Sequence, residues 1–234
     1  MNTQKQVPYL SEAELSALGI TATQALAAIE AVIVEREAGQ AWMAPKASFT
    51  MPDGRFAMST MAAANNPAYL IVKSLLLNPR NPASALALMN SVITLQDSET
   101  GLAVAVLDGN WVTDIRTAAL SALASKRLAC AHASTIAFIG CGAQARSHLD
   151  LFAQLFPLQK VNAFGRGQPN IDRLCEQADA LGLTTRVPGS AREAIEDADI
   201  VVSSVTRTPD MTAFVDAAWL KPGAFAALTD LAAP

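Results

Sequence analysis

The spacing of apolar residues along this 234-residue chain changes character near its midpoint. Before residue 110 the apolar positions form short runs broken by polar turns. "SEAEL" places Ser11 and Glu14 at capping-box spacing, which predicts a short helix. "TATQALAAIEAVIVEREAGQ" predicts a longer one, with Thr21 as N-cap and Gly39 at its end. "MPDGRFAMSTMAAA" reads as two strands around a "PDG" turn, and "AYLIVKSLL" as an apolar strand. "ASALALMNSVITLQDSETGLAVAVLDG" reads as two more strands, joined by a polar turn over 97–101. This half is therefore mostly sheet behind two opening helices.

From "VTDIRTAALSALASKRLA" onward, small and apolar residues recur at helical spacing, which predicts a helix over 113–129. Strand and helix patterns then alternate: "TIAFIG", "AQARSHLDLFAQL", "VNAFGRG", "NIDRLCEQADALG", "TTRV", "SAREAIEDA", "DIVVSSVT" and "GAFAALTDL". Such alternation marks a parallel sheet covered by helices. The expected class is α/β, with an α+β domain over 1–115 and a Rossmann dinucleotide-binding domain over 116–234. Pro234 follows directly on a core strand, so a C-terminal segment is expected to be missing.

Composition narrows the class further. Hydrophobic residues make up 51% and charged residues 16%, which argues against disorder. A net charge of −4 gives no bulk attraction to nucleic acid or to an anionic membrane, so neither is an expected partner. The polar start lacks the apolar core of a signal peptide, and no apolar run reaches the roughly 18 residues of a membrane span. Cys130, Cys141 and Cys175 have no metal-ligand spacing and read as free thiols in a reducing compartment. A soluble cytoplasmic protein is expected, with no metal.

The candidate chemistry starts at Gly140, Gly142 and Ala145, a G-x-G-x-x-A turn between a strand and a helix. The first glycine permits the turn, the second lets a pyrophosphate approach the backbone, and the alanine lets helix and strand pack closely. Free N–H groups at the helix start favour the phosphates. The bland alternative is a bare structural turn. The next strand ends in "FGRGQ", with Arg166 where NAD sites carry an acid, which favours NADPH over NADH. Ser203, Val205 and Thr206, at the end of "IVVSSVT", should line the crevice. Ala143, Gln144 and Thr113 are also assigned to cofactor binding.

Lys73 sits among apolar neighbours, facing with Ile71 and Leu75, which makes it a candidate proton donor or carbonyl-polarising group; a lysine snorkelling from an edge strand is the alternative that the residues alone favour. Arg116 is expected to open a helix, where it and the helix N-terminus could bind a carboxylate; a surface ion pair with Asp114 is the alternative. His132 reads as a helix cap, His148 as a surface or packing residue, and Cys141 as a residue kept for its small size. Trp42, Trp111 and Trp219 read as core or interface packing.

"VKSLLLNPRNPA", "SETGLAVAVLDGNWVTDIRTAAL" and "IAFIGCGAQARSHL", in this order, resemble the ornithine cyclodeaminase/mu-crystallin family over roughly residues 40–234. The resemblance implies an N-terminal substrate-binding and dimerisation domain, hence a homodimer, and members longer than this chain. It implies that Lys73 contacts the substrate carboxylate and reacting centre, that Arg116 and Lys46 bind the carboxylate, and that Asp230 faces the substrate nitrogen. It also implies reaction through an imine beside a carboxylate.

No carboxylate lies between Phe56 and Lys73, where cyclodeaminases place one, and "TDLAAP" stands where they carry "GDxPGK". These departures favour an NAD(P)H-dependent reductase of a small cyclic imino acid: Δ1-pyrroline-2-carboxylate to L-proline first, Δ1-piperideine-2-carboxylate to L-pipecolate second. The alternatives are an NAD-dependent ornithine cyclodeaminase and a non-catalytic NADPH-binding protein. All of these readings require Lys73 and Arg116 to act over a nicotinamide held by the turn after Ile139.

Overall fold

The computed structural model describes residues 6–206 and 211–230. The chain forms two compact units, Met1–Thr113 and Asp114–Pro234. Among the described residues, no helix is long and apolar enough to cross a membrane.

The first unit opens with β1 (Tyr9–Leu10), α1 (Glu12–Ala17) and α2 (Ala22–Glu37). Ser11 and Thr21 cap the two helices, each in a reciprocal capping box with Glu14 or Gln24. A sheet follows: β2 (Ala41–Met43), β3 (Ala47–Thr50), β4 (Phe56–Asn65), β5 (Ala68–Leu77), β6 (Met89–Asp97) and β7 (Ala103–Asp108). Its order is β1-β7-β6-β5-β4-β2, with β3 also on β4, and only β1 runs parallel to its neighbour. The turn between β3 and β4 closes through Met51 N–H to Arg55 O, and the Arg55 guanidinium pairs with Asp53 at 2.8 Å.

The strand expected from residue 83 begins instead at Met89. Residues Asn81–Ser84 form a 3-10 turn, because Pro82 has no N–H to give a ladder and Ala85 takes a positive φ of 56°. Register places Leu75, Ile93 and Ala105 on one face, all buried. The other face shows Trp42, Phe49, Met61, Leu76, Val92 and Val104, all exposed. On that face β4 and β5 place no charged residue. Trp42, at 52% exposure, is therefore not core packing within the chain.

Helix α3 (Gly109–Leu128) starts four residues earlier than the sequence pattern suggests. Asp108 caps it, its carboxylate accepting from Asn110 N and Trp111 N at 2.9 Å each. Gly109 is required here: a β-carbon would lie 2.5 Å from Ser91 Oγ and 2.8 Å from the Ser91 carbonyl carbon. Arg116 therefore sits two turns inside the helix and does not share a site with its free N–H groups.

The second unit contains β8 (Thr135–Ile139), α4 (Ala143–Leu155), β9 (Lys160–Phe164), α5 (Gln168–Ala180), β10 (Thr184–Arg186), α6 (Ala191–Ile195), β11 (Ile200–Ser203) and β12 (Phe225–Leu228). The five strands are all parallel, in the order β10-β9-β8-β11-β12. The winding reverses between β8 and β11, which opens a crevice at their C-terminal ends. Fully buried Ile136, Phe138, Val161, Ile200 and Val202 fill the sheet, covered by Leu149, Phe152, Leu174 and Ile195 from the helices. Trp219 packs against the cluster of Ile139, Ile195 and Val201.

His148 is fully buried, not a surface residue. Its Nδ1 lies 2.6 Å from Gln144 O and its Nε2 3.0 Å from Ser121 Oγ. A carbonyl only accepts, so Nδ1 carries the proton and Nε2 accepts from the serine hydroxyl. Burial pushes the imidazole pKa down to about 4, against the opposing carbonyl contact. Between pH 6.5 and 4 the unfolded chain binds a proton that the folded chain refuses, so stability falls as the pH drops through this window. The contribution is ~3 kcal/mol when fully expressed. Urea unfolding at pH 7.5 and pH 4 should show a smaller pH-dependent loss in His148→Gln than in the wild type.

Candidate dinucleotide and substrate site

Strand β8 ends in Gly140-Cys141-Gly142, and α4 starts immediately after. Gly140 has φ +90°, and a β-carbon there would stand 2.9 Å from Ser204 O. Its N–H donates to Phe164 O at 2.8 Å, and Ser204 Oγ donates to its carbonyl at 3.2 Å. The turn is thus fastened to the strands on both sides of β8. Gly142 is the N-cap of α4 without a side-chain cap, and a β-carbon there would meet nothing within 4 Å. Open space therefore faces the free N–H groups of a thirteen-residue helix, an arrangement that suits a pyrophosphate.

A cleft of about 400 Å³ runs from this turn. Its lining includes Ile139, Gly140, Cys141 and Gly142 of the turn, the apolar side chains of Phe164, Val205, Met211 and Phe214, and Gly165, Arg166, Gly167 and Asn170 after β9. Among the described residues, no Asp or Glu lines it. Cys141 is buried, and burial, with Cys175 adding to it, pushes its thiol up to about 12, so it carries no reactive thiolate at neutral pH.

The structure separates the residues expected at this site into several groups. Gly140, Gly142, Arg166, Val205 and Thr206 line the cleft. Ala145 is fully buried where α4 packs, while Ala143 is exposed on its first turn. The Gln144 amide donates to Asp114 Oδ1 at 2.6 Å. Ser203 is buried and turned inward, its hydroxyl donating to Asp230 Oδ2 at 2.5 Å, and the neighbouring Ser204 takes the place on the cleft wall. Strand alternation explains the exchange: adjacent residues of "VVSSV" face opposite ways. Phe164, Met211 and Phe214 were not expected here, because isolated apolar residues at a strand end and in a loop give no sequence signal.

Asp230 is held by two donors, Ser203 Oγ and Val205 N–H at 2.9 Å, both on Oδ2. Its Oδ1 is buried and, among the described residues, has no hydrogen-bond partner. Such an oxygen is a fixed, unused acceptor.

In the first unit, Lys73 occupies a central strand, not an edge. It pairs in register with Thr60 of β4 and Ile93 of β6, and it is half-buried. Its Nζ donates to Thr113 Oγ1 at 2.5 Å. Lys46 is exposed in the link between β2 and β3, next to Ala47, which pairs with Ser59. Lys46 and Lys73 thus flank the same stretch of β4, with backbones about 10 Å apart by strand spacing. Arg116 is exposed on α3.

The ornithine cyclodeaminase/mu-crystallin family model matches residues 9–232. The chain belongs to this family. It is 34% identical to ketimine reductase mu-crystallin of Mus musculus over 132 residues, covering 56% of this chain and 40% of the mouse protein. The Δ1-pyrroline-2-carboxylate reductase of Thermococcus litoralis, solved with NADH and L-proline, superposes with a TM-score of 0.88 at 25% identity, over 95% of this chain and 68% of that one. An archaeal alanine dehydrogenase dimer with bound NAD gives 0.83 at 27% identity, over 94% of this chain and 66% of that one. The chain thus spans about two fifths of the mouse protein's length.

The two glycines of the turn should behave differently. Gly140→Ala should lower the melting temperature by several degrees, since both the positive φ and the Ser204 backbone oppose a β-carbon. Gly142→Ala should melt close to the wild type, since its β-carbon enters open space. Scanning calorimetry of the two variants measures the contrast.

Proposed function

We propose that this protein is an NAD(P)H-dependent reductase of a cyclic imino acid, with Δ1-pyrroline-2-carboxylate as its first substrate and L-proline as the product. Δ1-piperideine-2-carboxylate, giving L-pipecolate, is the second substrate. The likeness to the Thermococcus enzyme across 95% of this chain is the observation that carries the reading. The open cleft before α4 supports it, because its donors and space suit a dinucleotide.

The backbone at Gly142 and the start of α4 would hold the pyrophosphate, and the apolar walls would hold the adenine. Arg166, with no acid lining the cleft among the described residues, favours the 2′-phosphate of NADPH, whereas two of the solved relatives carry NADH and NAD. A reduced nicotinamide bound there supplies the hydride that converts C=N to CH–NH. Lys73, Lys46 and Arg116 would neutralise the substrate carboxylate as point charges and a planar fork. Asp230 Oδ1 would accept a hydrogen bond from the protonated imine nitrogen, which keeps that carbon electrophilic as hydride arrives. Ser203 and Val205 N–H fix the carboxylate through its other oxygen.

The face of β4 and β5 around Met61 and Leu76, which carries no charged residue, suits a second copy of this chain; one solved relative is a dimer. Met61→Glu should convert a homodimer to a monomer in analytical ultracentrifugation, with the circular-dichroism spectrum preserved.

Cofactor oxidation measured at 340 nm tests the chemistry. The wild type should consume NADPH in preference to NADH with either cyclic imino acid, and Lys73→Ala should lower kcat/KM by about 100-fold or more. Ammonia release from ornithine would instead favour a cyclodeaminase. Tight NADPH binding without turnover would favour a binding protein.

A further inference from the structure

We infer that Thr113 is a positioning residue that holds Lys73 as a fixed ammonium donor. The inference deepens the proposed function, because it rests on Lys73 being the cation that meets the substrate.

Two contacts define the geometry. Lys73 Nζ donates to Thr113 Oγ1 at 2.5 Å, and Thr113 Oγ1 donates to Gly109 O at 2.6 Å. The carbonyl can only accept, so the hydroxyl proton lies toward Gly109. The oxygen therefore offers Lys73 only a lone pair. An ammonium donates to that lone pair more strongly than a neutral amine does, because the bond is charge-assisted, so the contact favours the ammonium form.

The hydroxyl is fixed by its surroundings. Thr113 is 7% exposed. The helix start that carries it is fastened to β6: Gly109 packs on Ser91, Ser91 Oγ donates to Asn110 Oδ1 at 3.0 Å, and Asn110 Nδ2 donates to Met89 O at 3.1 Å. Strand β6 is in turn laddered to β5, where Ile93 pairs with Lys73 and Ser91 with Leu75. Helix start, hydroxyl and lysine thus share one rigid frame.

The flanking positions on the Lys73 face are Met58, Thr60 and Ala62 of β4 and Ser91, Ile93 and Leu95 of β6, none of them charged. The charged residues of α3 nearest to Thr113 are Asp114 and Arg116, and Asp108 caps the helix. Thr113 was expected to contact the cofactor; here its hydroxyl is committed to the lysine. The consequence is a lysine that acts as a charged donor to a carboxylate or a nitrogen, not as an amine nucleophile.

The test compares wild type, Thr113→Ser and Thr113→Val. Competitive acetylation of the folded protein by acetic anhydride across pH, read by mass spectrometry on the Lys73 peptide, gives the titration midpoint of that amine without any substrate. Thr113→Val should lower the midpoint by roughly one pH unit, while Thr113→Ser should keep it near the wild type. Coincident curves for wild type and Thr113→Val would overturn the inference, as would a serine variant that behaves like valine. Imine reduction assayed on the same three proteins should lose kcat at lower pH in Thr113→Val. A shifted midpoint in a protein that reduces no cyclic imine would leave the positioning role standing and remove the proposed reaction.

Discussion

The second unit depends on one close approach, that of the Gly140 backbone to Ser204. With no side chain and a left-handed φ, Gly140 lets the end of β8 turn beneath the end of β11. Hydrogen bonds to Phe164 and from Ser204 fasten the turn to β9 on one side and to the segment after β11 on the other. The winding reverses between β8 and β11, so the turn at the end of β8 sits at the mouth of the crevice. Because the contact is backbone to backbone, it fixes the direction of α4 and hence where its free N–H groups point.

In the first unit the corresponding device is the start of α3. Asp108 caps it, Gly109 lets it lie against Ser91, and Thr113 is carried one turn further to reach Lys73. A lysine on a central strand loses solvation, and a neighbour that can only accept from it offsets that cost without neutralising its charge. In both units, then, a glycine permits a close backbone contact next to a functional group. Asp230 follows a related logic: one oxygen is tied by Ser203 and Val205, which leaves the other oriented and, among the described residues, unused.

Much of this was legible in the sequence because it is local. The capping boxes at Ser11 and Thr21, the "PDG" turn and the alternating strands and helices after residue 134 are set by neighbours within a few residues. So is the glycine turn. The α3 start was misplaced because "LDGNWVT" has no apolar period, and its helix depends on a cap at Asp108 and a contact with β6 that lies nearly twenty residues away. The choice between surface and packing for His148 stayed open for the same reason: its partner Ser121 lies 27 residues earlier.

The sequence by itself determined the α/β class, the family and the turn that a dinucleotide would occupy, since these rest on period and on residues adjacent in the chain. Only the tertiary structure decided that Ser204 rather than Ser203 lines the cleft, that Ser203 and Val205 tie Asp230 through one oxygen, and that Thr113 attends to Lys73. Each of these depends on the direction of a side chain relative to a distant segment. That direction follows from strand register and helix placement, which no run of neighbouring residues encodes.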